Sequence, residues 1–191
     1  RESRRVLFRS QREEAWTGGH VALCRARQLT GSPAARKTVR DLVCSIRKAS
    51  SDPEQVRLAA VKMRADMAAH KPPAGTFDIK LGSGGLVDLE FAVHTLQLTH
   101  RIGLDTRREV SIKELHEDGL SDAQADPDLR LLARILVTSR LVAPDGGVPL
   151  VQSQALVAEV CGHPDWQSLL DAHDAARQRI GELWAKVKDG Q

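Results

Sequence analysis

Aromatic residues are scarce in this sequence of 191 residues, which contains three Trp, three Phe and no Tyr. Strand-rich folds of this size draw heavily on Tyr, Phe, Thr and Val, so the scarcity argues strongly against an all-β fold. Leu and Ala instead occur 23 times each, and both favour helices. The composition therefore predicts an all-α protein, an irregular bundle of about seven to eight helices around one core.

Long apolar runs are also absent. No stretch approaches the roughly 20 apolar residues that cross a bilayer, and no apolar segment follows the arginine-rich start as it does in a secretory signal. The three cysteines, Cys24, Cys44 and Cys161, lie far apart and lack the close spacing of a structural zinc site. We therefore expect a soluble cytoplasmic protein with reduced thiols, no metal site and no membrane contact.

Positive charge is concentrated near the start of the chain. The net charge is only +3, but residues 1–50 carry 12 Lys or Arg and 4 Asp or Glu, whereas the remainder is acidic. This asymmetry suits a nucleotide phosphate, nucleic acid or an acidic partner domain, and it also suits a solvated arginine-rich helix surface. Nucleic acid has little support, because aromatic stacking platforms are scarce and the remainder is acidic.

Apolar periodicity and breaker residues divide the chain into helices. The first predicted helix covers residues 3–26 and is weakened by Gly18-Gly19, and a second reaches about Lys48. Residues 51–54, Ser-Asp-Pro-Glu, form a start signal that combines a possible N-cap with proline in the first turn. Further helices are predicted at about 53–70, 86–101, 110–117, 129–142, 151–160 and 164–187.

A glycine-rich loop precedes the central helix predicted at residues 86–101. Gly82, Gly84 and Gly85 allow backbone N–H groups to approach a phosphate or a carboxylate at the positive end of the helix, with Lys80 close by. The pattern is neither the P-loop nor the dinucleotide-binding fingerprint, and no strand–helix–strand unit surrounds it. A flexible turn with a helix cap explains the same residues.

Four polar residues share one face of the central helix. A helical projection places Glu90, His94, Gln97 and Arg101 in one stripe about 60° wide between apolar flanks. Such a row must find partners or line a cavity, because unsatisfied buried polar groups are costly. The stripe is therefore a site candidate, with a buried interhelical hydrogen-bond network as the alternative. The positions predicted to face water are Asp88, Ala92, Thr95 and Thr99.

Other patterns are weaker indications of chemistry. Glu90 and His94 have the spacing of metal ligands, but no third ligand is identifiable. Residues 126–128, Asp-Pro-Asp, contain paired carboxylates, but the proline predicts a helix start, and we interpret the pair as a cap. His173 shares a face with large apolar residues and is predicted to belong to the core. No Ser/His/Asp or Cys/His arrangement is recognisable, so no catalytic residue is predicted in this chain.

Two motifs carry a family resemblance. Residues 77–100 read FDIKLGSGGLVDLEFAVHTLQLTH, and residues 15–27 contain AWT followed by ALCRAR. They resemble the D-[ILV]-K-x-x-x-G-G-[ILV]-x-[DE]-[ILV]-E-F and A-W-T-W-E-x-x-A-L-x-R-A-R motifs of the glutamine synthetase adenylyltransferase family. A related but less similar form occurs in the uridylyltransferases that modify PII signal proteins. With the helical tail, the resemblance covers essentially the whole chain.

The resemblance implies an enzyme that transfers AMP from ATP to a tyrosine of glutamine synthetase and so regulates nitrogen assimilation. In that family a nucleotidyltransferase core holds ATP and Mg²⁺ through carboxylates that precede the part similar to this chain. We therefore expect residues 1–191 to form a single helical domain, the C-terminal fragment of a longer adenylyltransferase, with residues 1–30 at the junction with the core. The implied partners are glutamine synthetase, a PII-type signal protein and that core. We expect the fragment to be inactive alone and to retain neither ATP nor Mg²⁺.

The resemblance also implies roles for particular residues in a nucleotide cleft. The cations would supply positive charge, the glycines would permit close backbone approach, and the acids would position neighbouring groups. The eight candidates are Arg25, Arg27, Asp78, Lys80, Gly84, Gly85, Asp88 and Glu90. Gly18-Gly19 replaces the family's W-E pair, which puts the docking of the first helix onto a core in doubt. The alternative is a non-catalytic module that docks glutamine synthetase or a PII-type regulator.

Overall fold

A computed structural model describes residues 21, 23–26, 30–48, 52–75, 77–143 and 147–191. These ranges contain seven α-helices and no β-strand, which confirms the predicted all-α fold. The helices are α1 (Pro33–Lys48), α2 (Pro53–His70), α3 (Leu86–His100), α4 (Arg108–Glu117), α5 (Ala125–Val142), α6 (Val151–Cys161) and α7 (Trp166–Asp189). The helix predicted over residues 3–26, with Gly18-Gly19, lies largely outside the described residues.

Capping side chains fix where two of the helices begin. Asp52 caps α2, because its carboxylate accepts the N–H of Glu54 at 3.0 Å, and Pro53 follows in the first turn, as the sequence predicts. Asp165 caps α7 in the same way through the N–H of Ser168 at 2.7 Å. These side chains satisfy N–H groups that a helix leaves without a partner at its first turn.

The interpretation of residues 126–128 as a cap is wrong. Helix α5 already begins at Ala125, so both carboxylates lie within its first turn and Gln124 occupies the N-cap position. Asp126 pairs with Arg130 one turn later, at 2.8 Å. Asp128 is buried and accepts two hydrogen bonds from Arg179, at 2.6 and 2.9 Å, which tie α5 to α7.

Helix α3 lies at the centre of the fold. It packs against α2, α4, α5 and α7, and twelve of its fifteen residues are buried. The prediction that Asp88, Ala92 and Thr95 face water is therefore wrong, and Thr99 is half-buried. A helix that is covered on all sides has no water-facing stripe, so helical periodicity cannot identify one.

The three cysteines are free thiols, as predicted, and Cys24 and Cys161 are buried. Burial raises the pKa of the Cys161 thiol and so favours its protonated form. None of the helices in the described ranges combines the length and the apolar content of a bilayer-crossing segment.

His173 belongs to the core, as the sequence predicts. It is only 2% exposed, and its ring lies 5.2 Å from that of Phe77. Its Nδ1 lies 2.8 Å from a carboxylate oxygen of Asp174, while no described residue pairs with its Nε2. Burial disfavours the charged imidazolium, and Arg177 acts in the same direction. The pKa of His173 consequently lies below its ordinary value of 6.5, although Asp174 opposes the shift.

This shift predicts a loss of stability in mild acid. The unfolded chain takes up a proton on residue 173 below pH 6.5, whereas the folded chain does so only at lower pH. The free energy of unfolding therefore falls as the pH drops below 6.5. We expect urea midpoints at pH 7.5 and 5.5 to differ more in the unaltered chain than in His173→Gln. The exposed His100 provides the control: His100→Gln should keep the full pH dependence. An unchanged pH dependence in His173→Gln would rule out this origin.

Candidate functional site

Asp78 holds the start of the glycine-rich loop in a fixed turn. Its carboxylate accepts the N–H groups of Ala74, Lys80 and Leu81 at 3.0, 2.9 and 2.8 Å. Burial favours the neutral carboxyl, but these three hydrogen bonds outweigh it and hold the pKa of Asp78 below its ordinary value of 3.8. The side chain of Lys80 is exposed and has no polar partner among the described residues. The turn therefore presents a free ammonium group to solvent.

The loop and the first turn of α3 use their backbone N–H groups within the chain. Gly84 donates to the carboxylate of Asp88 at 2.7 Å, and Gly85 donates to the carbonyl of Gly82 at 2.9 Å. Leu86 and Val87 donate to carbonyls earlier in the loop at 3.0 and 3.1 Å. These donors are thus already satisfied in the absence of any phosphate.

The glycines of the loop allow close packing against α7. Gly84 has a φ of +68°, and a Cβ added there would overlap the backbone carbonyl of Arg177. A Cβ on Gly85 would lie 2.7 Å from the carbonyl oxygen of Ile79. Arg177 also donates a hydrogen bond from Nε to the carbonyl of Ser83 at 2.8 Å. The glycines therefore have a packing role, and their role in nucleotide binding stays a prediction.

Asp88 forms a buried ion pair with α2. Its carboxylate lies 2.6 Å from Nε of Arg64, and the side chains of Asp88 and Arg64 are 5% and 12% exposed. Arg64 also donates to the carbonyl of Leu81 at 3.1 Å. The pair links α2, the loop and α3 in one network. Asp88 therefore stabilises the glycine-rich loop from the buried side, whereas the resemblance implied that Asp88 lines a nucleotide cleft.

The polar stripe on α3 divides into two parts. Glu90 accepts a hydrogen bond from Arg25 and lies 3.8 Å from a guanidinium nitrogen of Arg108. His94 and Gln97 are buried further along the helix. Arg101 lies beyond the end of α3, exposed and in the left-handed conformation with a φ of +61°. The stripe therefore continues from Glu90 to Gln97, and Arg101 is separate from it.

A cleft of about 350 Å³ lies over the buried part of the stripe. We call it the Gln97 cleft. Its floor comes from α3, one wall from Cys24 and Arg25, and the other from residues 105–111 at the start of α4. The lining residues are Cys24, Arg25, Val93, His94, Gln97, Asp105, Thr106, Arg107, Arg108, Glu109 and Ser111. The structure thus brings together three sequence candidates, Arg25, His94 and Gln97.

The carboxamide of Gln97 is fixed by residues between positions 103 and 111. Its Nε2 donates to the carbonyl of Gly103, to Ser111 Oγ at 2.9 Å and to the carbonyl of Asp105 at 3.3 Å. Its Oε1 is buried and has no hydrogen-bond partner among the described residues. An unsatisfied buried acceptor costs about 1–3 kcal/mol. Oε1 is closed off from solvent, so it does not face the open cleft.

The wall at residues 105–111 was not predicted as part of a site. Asp105, Arg107 and Arg108 belong to a connecting segment and a helix start, where no motif indicates a function. Only the packing of α4 against α3 brings them over the stripe.

Of the other candidates, Arg27 lies outside the described residues. Within those residues no three His, Cys, Asp or Glu side chains are grouped as metal ligands would be, and Glu90 contacts arginines.

Similarity to known proteins shows the family to which this chain belongs. The family model described as GlnD PII-uridylyltransferase matches residues 55–187, which include the loop, α3 and the cleft wall at residues 105–111. The chain belongs to this family. The match lies within the group of nucleotidyl-transferring enzymes that the two sequence motifs indicate.

The relatives found in the same way are named bifunctional glutamine synthetase adenylyltransferase/adenylyl-removing enzymes. The protein of Mesorhizobium japonicum is 33% identical over 175 residues, which are 85% of this chain and 17% of the relative. That of Agrobacterium fabrum is 37% identical over 116 residues, 60% of this chain and 11% of the relative. That of a Bradyrhizobium species is 38% identical over 90 residues, 47% of this chain and 9% of the relative. The predicted resemblance is confirmed, and the chain spans less than a fifth of these relatives.

Proposed function

We propose that this chain is the helical C-terminal part of a cytoplasmic enzyme that transfers AMP from ATP to a tyrosine of glutamine synthetase. The observation that carries the proposal is the 33% identity over 85% of the chain with an enzyme named for that reaction. Residues 1–30 would join the chain to a nucleotidyltransferase core. The chain by itself would be inactive and would regulate nitrogen assimilation only as part of the longer enzyme.

The chemistry of transfer would come from ATP and Mg²⁺ bound mainly by that core. The described residues offer no group of carboxylates for Mg²⁺, so we assign its ligands to the core. This chain would supply a wall of the nucleotide cleft. Lys80 has a free ammonium group on a fixed turn, and Arg25 lies at the rim of the Gln97 cleft. Both can attract phosphate oxygens. Arg27 keeps the same proposed role.

Lys80 provides a test of this role. The test uses an enzyme that we call the chimera. It is the Mesorhizobium japonicum relative, with its matching region replaced by this chain. Lys80→Ala in the chimera should slow AMP transfer at least about tenfold, because one positive charge near the phosphates is lost. Folding should be unchanged, since the side chain is exposed. Lys113→Ala removes another exposed lysine, and it should leave the rate unaltered. A normal rate of AMP transfer in Lys80→Ala would show that Lys80 does not belong to the nucleotide site.

A second candidate function is protein docking without nucleotide contact. Exposed apolar side chains concentrate in α5, in α6 and in the segment between these helices. Leu141 and Val151 are 80% and 83% exposed. Concentrated apolar exposure is typical of protein interaction surfaces. Glutamine synthetase or a PII-type signal protein would be the partner in this alternative.

Calorimetric titration of the 191-residue chain separates the two functions. The chain is titrated with ATP and Mg²⁺, and in a second experiment with glutamine synthetase. Heat with ATP supports a nucleotide subsite within this chain. Binding of glutamine synthetase without any heat from ATP supports the docking function instead. In that case Leu141→Ser should weaken binding, and Lys80→Ala should have no effect.

A further inference from the structure

Exposed apolar side chains are concentrated in one part of the fold. Eight large apolar side chains of the described residues are at least half exposed, and seven of them lie between positions 137 and 160. Such a concentration is typical of a surface that binds another molecule. Each of the two helices involved contributes a pair four positions apart, and such a pair lies on one side of its helix. We call the seven residues the α5–α6 face: Val137, Leu141, Val148, Leu150, Val151, Leu156 and Val160.

The two helices of this face pack side by side. Arg134 of α5 lies beside the end of α6, since a Cβ added at Gly162 would be 3.9 Å from its guanidinium. Thr138, one turn further along α5, forms a hydrogen bond with the thiol of Cys161. The middle of α5 is thus next to the end of α6, and the helices run antiparallel. Their exposed sides are therefore neighbouring parts of one surface.

Positive charge accompanies the apolar side chains of the face. Arg134 and Arg140 are exposed residues of α5, and neither forms an ion pair within the part of the chain that the structure describes. Arg130 pairs with Asp126 in its own helix, and α6 contains one acid, Glu159. A partner of matching chemistry therefore presents acidic side chains around an apolar centre. A second copy of this chain would add its own unpaired arginines, which disfavours a dimer through this face.

One end of the α5–α6 face adjoins the glycine-rich loop. Burial raises the pKa of Asp78, but its hydrogen bonds and the nearby charge of Arg140 lower it. The same carboxylate holds the turn that presents Lys80. A protein bound to the face would therefore lie beside the side chain to which the proposed function gives a phosphate contact. An enzyme that transfers AMP to a folded protein needs a surface for that protein next to its nucleotide site.

We propose that the α5–α6 face docks the protein that receives AMP, through a segment in which acidic side chains surround apolar ones. This inference rests on the proposed function, which supplies glutamine synthetase as that protein. It goes further in assigning a surface and a charge pattern to the encounter, and it makes docking and AMP transfer tasks of one enzyme. The face shares no residue with the Gln97 cleft, so the two can be tested separately.

Steady-state kinetics of the chimera test the proposal. The double variant Leu141→Ser with Arg134→Ala should raise the KM for glutamine synthetase at least about tenfold, because it removes an apolar contact and a positive charge from the docking surface. The kcat and the KM for ATP should stay within about twofold of their original values. A lower kcat with an unchanged KM for glutamine synthetase would contradict the proposal and would indicate that another part of the enzyme covers the face.

Leu58→Ser with Lys113→Ala is the matched control. This double variant removes an exposed leucine of α2 and an exposed lysine of α4, both outside the α5–α6 face. The kcat and both KM values should remain unaltered. A rise in the KM for glutamine synthetase as large as that in the test variant would contradict a docking surface on α5 and α6.

Titration of glutamine synthetase with the 191-residue chain tests the charge pattern without any substitution. Salt screens the attraction between unlike charges, so raising NaCl from about 0.05 M to about 0.5 M should increase the Kd at least about threefold. Salt-independent binding, or no binding, would contradict an acidic partner segment. Self-association of the chain that Leu141→Ser abolishes would assign the face to a second copy instead.

These experiments separate failure of this inference from failure of the proposed function. If the chimera transfers AMP and the test variant keeps the original KM for glutamine synthetase, the docking surface is wrong and the proposed function stands. A folded chimera that transfers no AMP contradicts the proposed function itself. The titration then still decides whether the chain binds glutamine synthetase through opposite charges.

Discussion

Gly84→Ala should lower the free energy of unfolding by about 3 kcal/mol or more, the largest effect that we expect from a single methyl group in this chain. Two causes combine at this position. Residue 84 has a φ of +68°, which disfavours any side chain, and the new Cβ would overlap the backbone carbonyl of Arg177. Backbone atoms of α7 cannot move aside as a flexible side chain could. Urea unfolding followed by circular dichroism measures the change.

Gly119→Ala is the matched control for that variant. Gly119 also has a positive φ, +76°, but an added Cβ would have no neighbour within 4 Å. The free energy of unfolding should therefore fall by only about 1 kcal/mol, the cost of placing a side chain on a left-handed backbone conformation. Similar losses in both variants would show that the loop does not pack closely against α7, and the packing role of Gly84 would be wrong.

Arg64→Ala should destabilise the chain by about 3–5 kcal/mol, the usual effect of removing one partner from a buried ion pair. The substitution leaves the carboxylate of Asp88 buried without its cation, and the carbonyl of Leu81 loses a donor. Because Asp88 also accepts the N–H of Gly84, the loop should loosen together with α2. The change is measured as a lower urea midpoint and as faster amide hydrogen exchange in the loop.

Two further variants separate the buried pair from surface charge. Lys62→Ala removes an exposed ion pair with Asp66 in the same helix, and it should change stability by at most about 1 kcal/mol. The double variant Arg64→Ala with Asp88→Asn removes the uncompensated charge, so it should recover part of the loss. Strictly additive losses in the double variant would contradict a coupled pair.

The fold class follows from composition, but the surroundings of α3 do not. Polar residues at helical spacing normally indicate the solvent side, and Asp88 and Thr95 suggested such a side. Both are buried, and both have partners that compensate for the loss of water. Asp88 pairs with Arg64, and Thr95 donates to the carbonyl of Phe91 at 2.7 Å. The cation that neutralises Asp88 comes from another helix, 24 residues earlier. A pattern within one helix carries no information about such a partner.

The glycine-rich loop shows a second limit of sequence reasoning. Glycines before a helix suit a phosphate site and a tight packing contact equally well. The group that lies against the glycine distinguishes a phosphate site from a packing contact. Here that group is the backbone of Arg177 on α7, 93 residues after Gly84. The fixed position of Lys80 could have been suspected from Asp78, since an aspartate two residues earlier is typical of turns that accept backbone N–H groups.

The cleft combines predicted and unpredicted residues. His94 and Gln97 followed from the projection of one helix, and Arg25 from the family resemblance. Asp105, Arg107 and Ser111 join the cleft because α4 packs against α3. The carboxamide of Gln97 is held by Ser111 and by the carbonyl of Asp105, which lie outside α3. A pattern within one helix therefore could not predict how Gln97 is held.

AMP transfer by the chimera is the measurement that most directly tests whether this chain serves an adenylyltransferase. Incorporation of labelled AMP into glutamine synthetase is compared for three samples: the chimera, the Mesorhizobium japonicum enzyme without the matching region, and the 191-residue chain alone. The account predicts transfer by the chimera and none by the other two. Equal transfer by the enzyme without the matching region, or no transfer by a correctly folded chimera, would contradict it.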